Sequence, residues 1–589
     1  MRKLAAALLL LFCCFPALAD PTEGEKLHQL YAEEWEWQLR DNPEGATLMG
    51  DRRYDDRLTD RSSDAYARRR EHVRESLTRI QAIDRTKLSA ADKLNYDVFL
   101  DQIRISADGE RFPSEVTPID QMTGIHVLLG ELAQQIPRDT VKDYENFLTR
   151  MRAYPRAIDE TIALLRRGLA LGVTQPRAVL GDVGQNIANQ IVEDPAKSPV
   201  YELAFTEMRS IPAPEQERLR KEARAALQAQ VLPSLRKLHE FWTKEYYPKT
   251  REAIAWTVVP QGKEWYAYLV RMQTTTELTP EEIHALGLSE VRRIRGEMEK
   301  IREETGFQGT MAEFFTFLRT EARFFHESRE ALLTAYRDIT KRIDPELTRL
   351  FGRLPRLPYG VIPIPGYSEK NNTTAYYYGG SPEAHRPGYF YVNLYDLKSR
   401  PKWEMEALSL HEAVPGHHLQ IALAQELENV PDLRRYNGYN AFAEGWGLYA
   451  ESLGSELGMY TDPYSRFGQL TYQMWRAVRL VVDTGMHSKG WTRQQAIDYF
   501  AANSSKPLHD IEVEIDRYLV WPGQALGYKI GELKIKELRA RAEKRLGPKF
   551  DIRAFHDTIL GGGSLPLSLL EKRVDEWAVG VETAGAARE

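Results

Sequence analysis

The stretch from Leu408 to Gln420 constrains this chain more than any other. It reads Leu-Ser-Leu-His-Glu-Ala-Val-Pro-Gly-His-His-Leu-Gln, and it gathers His411, Glu412, His417 and His418 within eight residues of a chain that has 13 histidines in all. Pro415 stands four residues after His411, so it offers no N–H to the His411 carbonyl and its ring collides with that same carbonyl. In an undistorted helix, position i+6 lies about 120° round the axis and roughly 9 Å along it, which is too far for His411 and His417 to share one metal ion. The segment is therefore expected to be two helical pieces joined by a bend, with Gly416 supplying the backbone freedom to rejoin them.

Three imidazoles and a carboxylate at such density suggest a divalent metal, and zinc is the natural candidate. A hydrolytic zinc takes three protein ligands and leaves its fourth position to a water whose pKa falls to about 7. The usual device is His-Glu-x-x-His on one helix face, with the Glu as general base. Here the spacing is longer by two residues, inserted at the bend. The plainer reading of the same residues is a buried helix end whose histidines are only hydrogen-bonded.

Residues 1–19 read as a cleaved leader: Arg2 and Lys3, an apolar run from Leu4 to Pro16, and Ala17-Leu18-Ala19 before Asp20. The run is too short for a membrane-spanning helix, which needs about 20 apolar residues. An exported protein is expected, periplasmic or secreted, without stable membrane insertion. Both cysteines, Cys13 and Cys14, lie in this leader. The mature chain thus has neither disulfides nor thiolate ligands nor a cysteine nucleophile, and any zinc must be held by His and carboxylate. Without Arg2 and Lys3 the 79 basic residues become 77 against 85 acidic ones, a net charge of −8. That modest, interspersed charge suggests no nucleic-acid partner. The oligomeric state is not legible.

From Glu23 to about Phe351 apolar residues recur at helical spacing, as in Leu27-Leu30-Tyr31-Trp35-Leu39, Tyr96-Phe99-Leu100-Ile103, Tyr144-Phe147-Leu148-Met151 and Leu219-Ala223-Ala226-Leu227. Thr279-Pro280-Glu281-Glu282 is a capping box with proline in the first helical position, opening a helix to about Glu304. A further helix is expected over 327–351. After Leu354 the texture turns to prolines, aromatics and β-branched residues, and a small antiparallel sheet is expected just before the histidine segment. An edge strand beside a hydrolytic metal pairs readily with an extended substrate, and Tyr391 and Asn393 are the candidates for that contact. A merely structural hairpin is the alternative. The reading is a mainly α-helical, two-lobed cleft, with residues 20–353 as a helical lobe and 354–589 as the zinc-site lobe, the two forming one continuous catalytic unit.

Downstream, Asn440 to Glu451 carries Glu444 and Glu451, seven residues and one helix face apart but separated by roughly 10.5 Å along the axis. Only one of them can touch a metal. At this point the chain resembles the helical gluzincins, the group that includes angiotensin-converting enzyme, thimet oligopeptidase and the carboxypeptidase Taq family. In the last two the ligand Glu is followed seven residues later by a second Glu. The resemblance implies that Glu444 binds zinc and Glu451 supports it, and that His417 rather than His418 is the second ligand, leaving His418 in the surrounding shell. More narrowly, the chain resembles the bacterial family called domain of unknown function 885. The resemblance rests on His-Glu-x-x-Pro-Gly-His-His-Leu-Gln at 411–420, Glu-Gly-Trp-x-Leu-Tyr-x-Glu at 444–451, Val-Asp-Thr-Gly-x-His at 482–487 and Trp-Pro-Gly-Gln-Ala-Leu-Gly-Tyr-Lys at 521–529.

These resemblances imply a peptidase holding one zinc ion on His411, His417 and Glu444, with Glu412 as general base. In gluzincins a Tyr or His from the C-terminal helices stabilises the oxyanion. Tyr528 is the candidate for that role, with Gln524 one helical turn earlier on the same face. Asp483, with His487 at i+4, is a candidate to orient a zinc histidine, and Arg517 to receive a substrate carboxylate. Short peptides are the expected substrates. Two rivals share the motif: zinc-dependent hydrolysis of a non-peptide amide or ester, and a non-catalytic helical protein whose structural zinc is closed by His418 as a fourth ligand.

Overall fold

The computed structural model describes residues 21–586 apart from 367, 368, 372 and 384. The leader expected over 1–19 lies outside the described residues.

The apolar stripes of the first half become helices α1 (Glu23–Asp41), α2 (Ala90–Gly109), α3 (Val141–Leu171) and α4 (Ala213–Ala226). Each buries its stripe, for example Leu27, Leu30, Tyr31 and Leu39 on α1 and Tyr144, Phe147, Leu148 and Met151 on α3. Helix α5 (Pro280–Glu304) opens on the Thr279–Glu282 capping box and ends where the sequence reading ends it. Helix α6 (Arg329–Ile343) is shorter than expected. Pro345 has no N–H to continue the α-helical ladder, and the chain runs on as a tighter 3₁₀ turn over Asp344–Arg349.

Three strands follow: β1 (Tyr359–Pro363), β2 (Ala375–Tyr378) and β3 (Gly388–Val392). Their order is β1-β3-β2, with β2 antiparallel and β1 parallel to β3. The sheet is therefore mixed, not antiparallel as expected. Aromatic and β-branched composition marks strands, but strand direction depends on the path of the connection, and the chain passes through β2 before β3 returns beside β1.

The remaining site helices are α7 (Met405–Glu412), α8 (His417–Gln425), α9 (Asn440–Ser452), α10 (Pro463–Ser488), α11 (Leu508–Val520) and α12 (Gly527–Leu546). The molecule is mainly helical. Helix α10 is buried along most of its length and packs on α5. Helices α9 and α12 cross where Gly445 meets Gly531, and a Cβ on either glycine would overlap the other helix's backbone. That close crossing brings Glu444 of α9 toward Tyr528 of α12. Both large apolar clusters draw residues from either side of position 353. One joins Phe147 and Phe314 to Phe467 and Tyr518, and the other joins Trp265 and Ile283 to Leu410 and Trp446. Among the described residues no helix is long and apolar enough to cross a membrane.

Candidate metal centre

The break between the histidines falls where Pro415 requires it. Helix α7 ends at Glu412 and α8 starts at His417, with a cis Val414–Pro415 peptide between them. Gly416 passes so close to the His411 carbonyl oxygen that a Cβ there would overlap it. The bend is tied to the next helix, because the Trp446 indole N–H of α9 donates to the Pro415 carbonyl at 2.8 Å. A carbonyl that the interrupted helix leaves unpaired thereby finds a donor.

This bend turns both imidazoles toward α9. Glu444 Oε2 lies 3.6 Å from His411 Nε2 and 3.4 Å from His417 Nε2. The two rings meet edge to face, 4.7 Å apart. All three ligand atoms fall within 4.8 Å of one another. Glu444 Oε2 is buried and has no hydrogen-bond partner among the described residues. The other face of His411 is fixed: its Nδ1 lies 2.8 Å from Glu451 Oε1, and Glu451 is fully buried. With Nδ1–H donated to Glu451, the Nε2 lone pair faces Glu444. Gly447 lets the ring lie against α9, since a Cβ there would stand 2.9 Å from His411 Cε1.

Two imidazole lone pairs and a carboxylate converging in a buried space repel one another unless a positive charge sits among them. Protons are one such charge: burial opposes ionisation of His411, yet Glu444 and Glu451 outweigh it and hold the imidazole up at about 9. Burial likewise opposes charge on Glu444, and His411 and His417 overcome it and hold the carboxyl well below its usual range. A divalent cation satisfies the same three atoms with one particle. The His₂Glu donor set suits zinc, and the described residues contain no cysteine to offer a thiolate in its place.

Three observations frame the rest of the centre. Glu412, the last residue of α7, is buried, and its carboxylate accepts no hydrogen bond among the described residues. The Tyr528 ring stacks at 6.5 Å from that of His411, and its hydroxyl has no hydrogen-bond partner among the described residues. Burial, with the charge of Glu444 beside it, raises the Tyr528 pKa against the opposing Arg479, so the hydroxyl keeps its proton at neutral pH.

A family model described as a bacterial protein of unknown function, DUF885, matches residues 43–574. The chain belongs to the DUF885 family. It is also similar to the solved structure of a candidate lipoprotein from Colwellia psychrerythraea, at 28% identity and a TM-score of 0.91 over 95% of this chain and 100% of that one. A candidate lipoprotein of unknown function from Shewanella oneidensis shares the fold at 16% identity, with a TM-score of 0.66 over 94% of this chain and 99% of that one. No curated protein matches the chain.

Other residues singled out in the DUF885 sequence fall elsewhere. His418 turns away from the metal ligands, its Nδ1 2.9 Å from the Tyr377 hydroxyl and its ring against Tyr359. Asp483 does not orient a metal-facing histidine: its carboxylate accepts from the Tyr266 hydroxyl at 2.6 Å and from the Gly523 N–H. His487 lies between the Trp256 N–H and the Tyr518 carbonyl. Both residues share a face of α10, but that face meets Trp256, Tyr266, the end of α11 and the turn before α12. Tyr391 is on the central strand, with Ile362 on one side and Tyr376 on the other, so its backbone has no edge to offer a substrate. Asn393 is buried and ties loops together, donating to the Glu369 and Thr373 carbonyls and accepting from the Tyr395 N–H. Arg517 is buried, with its fork committed to Glu514 and Gln524. Gln524 is further held by Asn440, whose side chain donates to the Gln524 carbonyl.

Sequence reasoning missed Trp446 as the tie to the bend, and Arg476 and Arg479 beside Tyr528. The arginines had a signal: they are charges inside the apolar run Met474 to Val482 of a single helix, a place where Arg is rarely found without a specific partner.

Proposed function

We propose that this DUF885 protein is an exported zinc metallopeptidase that hydrolyses short peptides in a gluzincin-like cleft. The observation that carries the reading is Glu444 Oε2, buried, without a hydrogen-bond partner among the described residues, and aimed at two Nε2 atoms 3.6 and 3.4 Å away. Export rests on the leader pattern of residues 1–19 and on the structural relative at 28% identity, described as a candidate lipoprotein.

His411, His417 and Glu444 would hold the metal, which when bound supplies Lewis acidity and lowers the pKa of water to about 7. Glu451 keeps the proton on His411 Nδ1 and so keeps Nε2 available. Glu412, next in sequence to His411 and free of hydrogen bonds among the described residues, takes a proton from the attacking water and returns it to the leaving amine. The Tyr528 hydroxyl, protonated and uncommitted among the described residues, donates to the oxygen on which negative charge develops.

The test is digestion of a mixed peptide library by zinc-loaded protein, with and without chelator, read by mass spectrometry, alongside Glu412→Gln. Chelator-sensitive peptide cleavage is expected, with Glu412→Gln retaining zinc but losing about 10²–10⁴ in turnover. Ester or non-peptide amide hydrolysis with every peptide intact contradicts the reading, as does full activity in Glu412→Gln.

A further inference from the structure

Beside Tyr528 the fold encloses a positive charge that it does not neutralise. Arg479 of α10 and Arg517 of α11 are 4% and 7% exposed, and both pair with one oxygen of Glu514, at 3.1 and 3.0 Å. The Tyr518 hydroxyl donates to that same oxygen at 2.6 Å and accepts from Arg479 Nε at 2.8 Å. Asp483, another buried carboxylate that feels Arg517, spends its oxygens on the Tyr266 hydroxyl and the Gly523 N–H, so at Glu514 two guanidiniums share one carboxylate. Arg517 places its remaining fork on Gln524 Oε1 at 2.6 Å, whereas Arg479 Nη1 is buried with no hydrogen-bond partner among the described residues. The nearby Arg476 is balanced by Glu451 at 3.6 Å. Aromatic faces surround Arg479, with Trp475, Tyr518 and Tyr528 centroids 5.0, 5.6 and 4.3 Å from its Cζ. Such contacts return only part of the solvation that a buried guanidinium gives up.

A buried cation short of one anion, next to a partly exposed hydrolytic centre, is complete when the ligand brings a carboxylate. Arg479 Cζ stands 4.3 Å from the Tyr528 ring centroid, which stands 6.5 Å from that of His411. An extended peptide advances about 3.3–3.6 Å per residue, so both steps together span no more than about three residues. His417, Glu444, Tyr528 and Gln524 are each partly exposed, so the strip between the two sites is lined by side chains that reach solvent.

We infer that Arg479, backed by Arg517, receives the free C-terminal carboxylate of the substrate, which makes the protein an exopeptidase cutting within three residues of the C-terminus. The inference rests on the peptidase reading and narrows its substrate class. An internal Asp or Glu side chain offers the same chemistry from another source, and the test separates the two.

Binding is measured by calorimetry on the full mature chain, zinc-loaded and carrying Glu412→Gln so that nothing turns over. The probes are Ala-Ala-Phe-Ala as the free acid, the same peptide as its C-terminal amide, and Ala-Ala-Glu-Ala amide. The free acid is expected to bind about 10- to 100-fold more tightly than either amide, the range for hydrogen bonds to charged groups. Adding Arg479→Gln is expected to bring the acid to within about twofold of its amide. Equal affinity for acid and amide, binding of none of the three, or an acid preference that survives Arg479→Gln overturns the inference. Tighter binding of the glutamyl amide than of the free acid also overturns it, assigning the cation to a side chain. Should Arg479→Gln fail to fold, Arg479→Lys keeps the charge, loses the fork and is expected to narrow the preference; an unchanged preference counts against the inference. If the free acid is preferred while protein with intact Glu412 cleaves no peptide, the peptidase reading fails and the anion site stands.

Discussion

Glu451 sits one step behind the three residues that face the metal position, with one oxygen on His411 Nδ1 and the rest of the carboxylate fully buried. Its role is to fix a tautomer, and the fold places Arg476 3.6 Å from the same oxygen to offset the buried charge. Glu451→Gln is expected to weaken zinc affinity about 10- to 100-fold, measured by competition against a chelator of known affinity; unchanged affinity would remove Glu451 from the centre. At this scale the density of His411, Glu412, His417 and His418 and the break at Pro415 were legible from the residues, and spacing allowed only one of Glu444 and Glu451 to reach a common point; the choice of Glu444 over Glu451 and of His417 over His418 came from the gluzincin resemblance. Asp483 and His487 were not, because i,i+4 spacing says that two residues share a face and nothing about what that face meets. Arg479 was hidden for a related reason: a sequence does not say which buried arginine keeps an N–H group without an acceptor.

The interrupted helix is the element on which the site depends. Without the turn at 413–416, His411 and His417 would point to different sides of one helix, and Trp446 holds that turn to α9 by a single hydrogen bond to the Pro415 carbonyl. Trp446→Phe keeps most of the ring and leaves a buried acceptor unpaired, so it is expected to cost about 1–3 kcal/mol, read from the urea midpoint at unchanged m; a smaller cost would mean that water replaces the indole. The break was legible from Pro415, and the start of α5 from Thr279 and Glu282, because both are local steric and hydrogen-bonding facts. The early end of α6 was equally local, since Pro345 stops the α-helical ladder that the apolar spacing otherwise continues. The direction of β1 was not legible, because parallel pairing is decided by the path through β2, and composition carries no record of that path.

Across the whole molecule, buried histidines set the response to acid. Burial presses His126, His418, His487 and His556 down to about 4 from 6.5. A folded pKa depressed below the unfolded value gives stability that is present above pH 6.5 and lost as pH falls toward 4. Asp483 works in the opposite sense, held up at about 7 by burial against 3.8, so it favours the fold as pH drops below 7. Between pH 7 and 5 four losses of about 2 kcal/mol each stand against one gain of about 2 kcal/mol. The urea midpoint is therefore expected to fall from pH 7 to pH 5; a midpoint that rises would mean that these rings are solvated in the native state. The central claim, however, is a zinc ion gripped by residues from α7, α8 and α9 with one position left open. Diffraction at the zinc absorption edge from crystals of the zinc-loaded chain measures it most directly. One anomalous peak is expected about 2.0–2.2 Å from His411 Nε2, His417 Nε2 and the Glu444 carboxylate, with no fourth protein ligand. A map without that peak, or with His418 turned in to close the coordination sphere, would contradict hydrolysis at this centre.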